Sequence, residues 1–160
     1  DDALKVEVLR TLYNASGLGG MIYGQQQDMY FETHTVTLDE LQAIHHDKTG
    51  ALISVPMKIA GLIAKKEDAD KLENIGFKLG LAFQIQDDIL DVTSTTETLG
   101  KKVGSDIENH KSTYVSLIGL ETSQKRVEEL FEECLADVYD LQLNHGLMIG
   151  LFQIIMKRVN

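Results

Sequence analysis

The chain has 160 residues, 43% hydrophobic and 25% charged, with a formal net charge of -10; this is enough for one domain with a real core and close to ordinary globular usage. The acidic balance excludes a nucleic-acid backbone as partner, and it would repel an anionic substrate unless lysines or a metal act locally. A lone cysteine, Cys134, cannot form an internal disulfide, which points to a reducing, cytoplasmic setting, and with no leader pattern and no apolar run near the roughly 20 residues of a span, no stable membrane insertion is expected.

Leu4, Val8, Leu9 and Leu12 already share a helical face, so the chain is expected to begin inside a larger protein. Residues 3–30 read as one helix, with Gly17, Gly20 and Gly24 in a stripe at i, i+3 and i+7. Glycine weakens a helix, so something must approach that stripe closely: a neighbouring helix or a ligand tail. Residues 31–36 form a connection. Thr37-Leu38-Asp39-Glu40 then matches a capping box. The helix it opens carries Leu41, Ile44, His45 and Lys48, followed by an apolar run from Ala51 to Ala64 that Pro56 should kink. After the polar break Lys65-Lys66-Glu67-Asp68, a long amphipathic helix covers 69–92, with Gly76 and Gly80 marking close packing. Residues 93–109 read as a loop punctuated by Gly100 and Gly104. Helices follow at 112–120, 122–140 and 147–158. Without strand alternation or a repeat of fixed period, the fold class is all-α.

Three groups of residues carry chemistry. Asp87, Asp88 and Asp91 stand among Leu81, Phe83, Ile85, Ile89 and Leu90. Asp87 and Asp91 share a helix face, with Asp88 about 100° further round. Carboxylates crowded into an apolar helix repel one another and lose hydration unless a cation compensates. A hard ion such as Mg²⁺, held by carboxylates and a substrate phosphate, fits that need. An EF-hand is excluded, because the loop glycine and terminal glutamate are missing. A solvated acidic helix end is the bland alternative, and the apolar flanks argue against it. The second group, Lys48-Thr49-Gly50, offers a point charge and a hydroxyl to a phosphate. Alone, the tripeptide is a weak signal and reads better as a surface lysine before a glycine kink. The third runs from Leu99-Gly100-Lys101 through Asp106 to Lys111-Ser112-Thr113-Tyr114. Its glycines allow tight folding round a ligand, while Lys101 and Lys111 supply cations; the bland reading is a solvated loop.

Together these motifs resemble the trans-isoprenyl diphosphate synthases (polyprenyl synthetases), most of all the short-chain bacterial farnesyl diphosphate synthases. Phe83 to Asp91 looks like the second aspartate-rich motif. Lys48-Thr49-Gly50, Gly24-Gln25 with Asp28, and the Leu99–Tyr114 elements fall in the family's order. The resemblance implies an isoprenoid synthase-type helical bundle around a central cavity. It also implies a cytoplasmic, homodimeric prenyltransferase that joins an allylic diphosphate (dimethylallyl or geranyl) to isopentenyl diphosphate by Mg²⁺-assisted ionisation, giving farnesyl diphosphate. By the same resemblance Asp87 is the main Mg²⁺ ligand, with Asp88 and Asp91 acting through water or in the outer shell. Lys48, Lys101 and Lys111 balance diphosphate charge, and Thr49 and Gln84 lie beside the reacting carbon. Phe83 contacts the isopentenyl unit, and Arg158, with Lys157, helps to close the site.

The departures matter as much. The family's first aspartate-rich motif and its arginine pair do not occur in these residues: Asp1-Asp2 is followed by Lys5 and no Arg-Arg. Residues 1–160 are therefore read as a single partial domain, the C-terminal half of the bundle, expected to be inactive alone. Asn144 to Phe152 fits the family poorly. The alternative is a non-catalytic diphosphate-binding or regulatory subunit of a heteromeric prenyl synthase.

Overall fold

Helix α5, Ala69–Thr93, is the axis on which the other elements pack. The computed structural model describes residues 1–64, 67–93, 111–141 and 145–156. Before α5 come α1 (Asp2–Ser16), α2 (Met21–Phe31), α3 (Leu38–His45), a π-helical turn (His46–Gly50) and α4 (Ala51–Ile63). After it come α6 (Tyr114–Ile118), α7 (Leu120–Tyr139) and α8 (Gly146–Met156). Every regular element among the described residues is helical, as the sequence requires. None is long and apolar enough to cross a membrane.

The core follows from the period of α5. Ile75, Leu79, Ala82, Ile85 and Ile89 recur every three or four residues and are almost wholly buried. They meet Leu130, Phe131, Cys134 and Val138 of α7, with Tyr114 and Phe152 completing the cluster. Burial in this apolar setting pushes the Cys134 thiol up to about 12, so it stays protonated and inert. On its other side α5 lies against α4. A Cβ on Gly76 would collide with the backbone of Ser54, and one on Gly80 would sit 2.7 Å from the Cα of Gly50. The close packing expected at these two glycines is thus a near contact of two helix backbones.

Two spans differ from the sequence reading. Residues 3–30 are not one helix. The chain leaves α1 at Ser16, turns through residues 17–20 and starts α2 at Met21. Gly17 and Gly20 belong to that turn, where a Cβ on Gly20 would strike the Ala15 carbonyl, so only Gly24 acts as a packing glycine. Gly17, Gly19 and Gly20 put three glycines in four residues, each weakening a helix by about 1 kcal/mol relative to alanine, and the helix breaks there. The second difference is the π-helical turn. The Ala51 N–H donates to the His46 carbonyl five residues back, and α3, this turn and α4 form one continuous helical run. Gly50 is helical (φ -56, ψ -44), not a kink. Pro56 lies on an exposed face inside α4, which continues past it to Ile63.

The capping box at Thr37 is present in both directions: the Glu40 N–H donates to Thr37 Oγ1, and the Thr37 N–H to Glu40 Oε2. Between α6 and α7, Gly119 takes φ +84, a left-handed conformation that only glycine adopts at no steric cost. Helix α1 has no buried residue, and Val6, Leu9, Leu12 and Tyr13 on it are 43–71% exposed.

The Gly76 contact gives a test of the packing. Gly76→Ala is expected to lower unfolding free energy by about 1–3 kcal/mol through overpacking against Ser54, seen as a lower urea midpoint. Gly150→Ala in α8, where nothing lies within 4 Å, should be neutral or stabilising by up to about 1 kcal/mol.

Candidate functional site

The site is assembled on α2. Gly24 and Asp28 stand one turn apart on its buried face. A Cβ on Gly24 would collide with the backbone of Lys48, so α2 lies directly against the π-helical turn. That approach brings Asp28 within reach of two lysines. Its Oδ2 accepts from Lys48 Nζ at 2.6 Å and from Lys111 Nζ at 2.9 Å. The carboxylate is 7% exposed, and each lysine side chain 25%. Burial raises the Asp28 carboxyl, but hydrogen bonds and charge from the two lysines outweigh it and hold the group below the usual carboxylate range.

His45, the last residue of α3, sits behind this cluster. It is 5% exposed, its Nδ1 has no partner among the described residues, and its ring stacks on Tyr114 with centroids 5.8 Å apart. Burial pushes its pKa down to about 4; Asp28 opposes the shift, and Lys48 and Lys111 add to it. The imidazole is therefore neutral at pH 7. Tyr114 is fully buried, and burial pushes its phenol up to about 12.

Tyr114 also ties this cationic side to the aspartates. Its backbone N–H donates to Asp88 Oδ2 at 2.8 Å, which satisfies one of the unpaired donors at the start of α6. Thr113 and Ser116 cap the same turn reciprocally. Lys111 lies only three residues before Tyr114, within about 10 Å of extended chain. One chain of contacts thus runs from Asp88 through the 111–114 segment to Asp28 and Lys48.

The expected site residues are placed unequally. Asp87 and Asp88 are partly exposed near the end of α5, whereas Asp91 is 1% exposed; all three are engaged by other groups. Among the described residues no three His, Cys, Asp or Glu side chains converge on one point. Mg²⁺ asks for less: one or two carboxylates with substrate phosphates and water. Asp87 and Asp88, hard oxygen donors at the rim of α5, fit that requirement. Thr49 in the π-helical turn and Gln84, one turn before Asp88, are partly exposed. Phe83 lines an apolar groove of about 690 Å³ between α4, α5 and α8, with Leu52, Ile53, Met57, Leu79 and Phe152. Lys101 and Arg158 lie outside the described residues, as do Lys157 and the loop through Asp106.

Asp28 and Tyr114 stand in motifs that carry the resemblance, yet neither they nor His45 has an expected role, and all three organise the site. The signal for Asp28 was present, an acidic residue one turn beyond Gly24 on a helix face that something must approach. Gln86 has no expected role either. It is 3% exposed, and its Oε1 has no partner among the described residues.

The family model for Polyprenyl synthetase matches residues 3–142. The farnesyl diphosphate synthase of Micrococcus luteus is 48% identical over 139 residues, 86% of this chain and 46% of that protein. That of Bacillus subtilis (strain 168) is 38% identical over 157 residues, 96% of this chain and 53% of its own. Among solved structures, the geranyltransferase from Helicobacter pylori complexed with magnesium and isoprenyl diphosphate aligns with a TM-score of 0.82 at 32% identity. That alignment covers 98% of this chain and 52% of the other. The chain spans about half the length of the curated relatives it matches.

His45 supplies a pH test of this geometry. Its folded pKa lies below its unfolded value of about 6.5, so its contribution to stability is complete above that pH and lost as pH falls towards 4. Between pH 7 and 5 the fold should lose about 2 kcal/mol in urea titrations. His45→Phe, which keeps a ring against Tyr114, should flatten that loss.

Proposed function

The chain belongs to the polyprenyl synthetase family, with the all-α isoprenoid synthase fold, and from that premise we propose that it forms the diphosphate-holding side of a trans-prenyl diphosphate synthase. The observation that most supports this reading is the contact chain joining Lys48, Asp28, Lys111 and Asp88, which gathers cations and carboxylates from motifs distant in sequence. The substrates in this reading are an allylic diphosphate, dimethylallyl or geranyl, and isopentenyl diphosphate, and the product is farnesyl diphosphate.

Asp87 and Asp88 would hold Mg²⁺, with Asp91 buried behind them. When bound, the ion supplies positive charge to the departing diphosphate. Lys48 and Lys111, with Lys101, balance the same charge, so that the allylic C–O bond breaks heterolytically towards a stabilised pyrophosphate. The hydrocarbon chain lies in the apolar groove beside Phe83, and Phe83 contacts the isopentenyl unit. Thr49 and Gln84 flank the reacting carbon, and their oxygens orient towards positive charge without attacking it. The double bond of isopentenyl diphosphate then forms the new C–C bond and a proton is lost.

The assembly proposed is a homodimeric, cytoplasmic enzyme in which these residues are the C-terminal half of each bundle. The first aspartate-rich motif is not among them, so this polypeptide holds one jaw of a two-jaw clamp. That same observation favours a second reading, a non-catalytic diphosphate-binding subunit that relies on a partner chain for turnover.

Two measurements test the reading. Calorimetry should detect Mg²⁺-dependent pyrophosphate binding to the chain, weakened about tenfold or more in Asp87→Ala; a chain that binds no pyrophosphate refutes it. An isopentenyl incorporation assay with the chain, Mg²⁺ and both substrates should yield no product, and sustained turnover would show that one jaw suffices.

A further inference from the structure

Lys48 and Lys111 come from elements far apart in the chain, and both donate to the same oxygen of Asp28. Their ammonium groups are therefore held within about 5–6 Å of each other, a distance at which like charges repel. Among the described residues Asp28 is the only carboxylate paired with either lysine. Neighbouring His45 is neutral and adds no third positive charge. Asp28 is thus what makes the lysine pair possible, and it is nearly buried while the two lysine side chains still reach solvent.

An ammonium group has three N–H donors. One on each lysine is used by Asp28, which fixes the direction of the side chain, and among the described residues no other group accepts from either ammonium. We propose that Asp28 is a positioning residue that assembles Lys48 and Lys111 into a preformed diphosphate cradle before any ligand arrives. This rests on the reading of the site as a diphosphate site. Its consequence runs against simple charge counting. Removing a negative charge near an anion site should tighten anion binding; removing Asp28 should weaken it, because the lysines separate and the ligand must gather them itself.

The experiment has a ligand-free arm and a ligand arm, both on the full chain. In ¹H–¹⁵N spectra of the lysine side chains, assigned with Lys48→Gln and Lys111→Gln, the two ammonium groups should exchange slowly with water. In Asp28→Asn both should exchange about tenfold faster. Unchanged exchange overturns the proposal. With Mg²⁺ and pyrophosphate in the calorimeter, Asp28→Asn should bind about tenfold more weakly, whereas in a Lys111→Gln background it should add less than about twofold, the pair being already lost. Binding by Asp28→Asn as tight as the parent or tighter overturns the proposal. Should Asp28→Asn not fold, Lys48→Gln decides. The Lys111 ammonium should stay protected there, held by Asp28, and loss of its protection is the contrary result. If the parent chain binds no pyrophosphate, the diphosphate reading fails, and the ligand-free arm still decides whether Asp28 holds the pair.

Discussion

A carboxylate removed from water must find positive charge, and Asp28 finds two lysines at once. This requirement organises the functional end of the bundle. It pins the π-helical turn to α2 through Lys48 and the 111–114 segment to α2 through Lys111. The bond from Tyr114 to Asp88 then carries the constraint to α5. Removing one partner of a buried ion pair costs about 3–5 kcal/mol. Lysines a quarter exposed place this cluster below that range, yet its value lies in geometry more than in stability. Four segments that share no local sequence contact are brought to a common point.

The apolar half of the site is built by a different force. The groove beside Phe83 is lined by apolar side chains from α4, α5 and α8. It begins one turn from Asp87, so the hydrophobic surface and the carboxylates share one helix. A molecule with an ionic head and an oily chain is complementary to such a surface in both parts, and a purely ionic or purely apolar ligand meets only half of it.

Much of this was legible in the residues and some was not, for definable reasons. The span of α5 and its buried stripe followed from a strong 3.6-residue period, and the Thr37–Glu40 cap from local hydrogen-bond chemistry. The break at residues 17–20 is signalled by the Gly19-Gly20 pair, and the helical spacing of Gly17, Gly20 and Gly24 masks that signal. The π-helical turn leaves no compositional trace, since it differs from α-helix only in which carbonyl each N–H meets. The Asp28–Lys111 contact spans 83 positions, and no local rule reaches that far. The aspartate cluster was found as a charged group in an apolar run, but its division into two rim carboxylates and a buried third depends on how α5 is turned against its neighbours.

The contact between Gly50 and Gly80 has a mechanical meaning. Where the π-helical turn leading into α4 crosses α5 beside the site, almost no side chain separates the two backbones. Spacing between side chains can relax through rotamer changes, but spacing between two peptide backbones is fixed by bond lengths and van der Waals radii. The gap between the helical run bearing Lys48 and Thr49 and the helix bearing Gln84 and Asp87 is therefore calibrated by the hardest ruler a protein has. Sequence drift in the surrounding core can change how firmly the bundle holds together while leaving the reach across that gap the same.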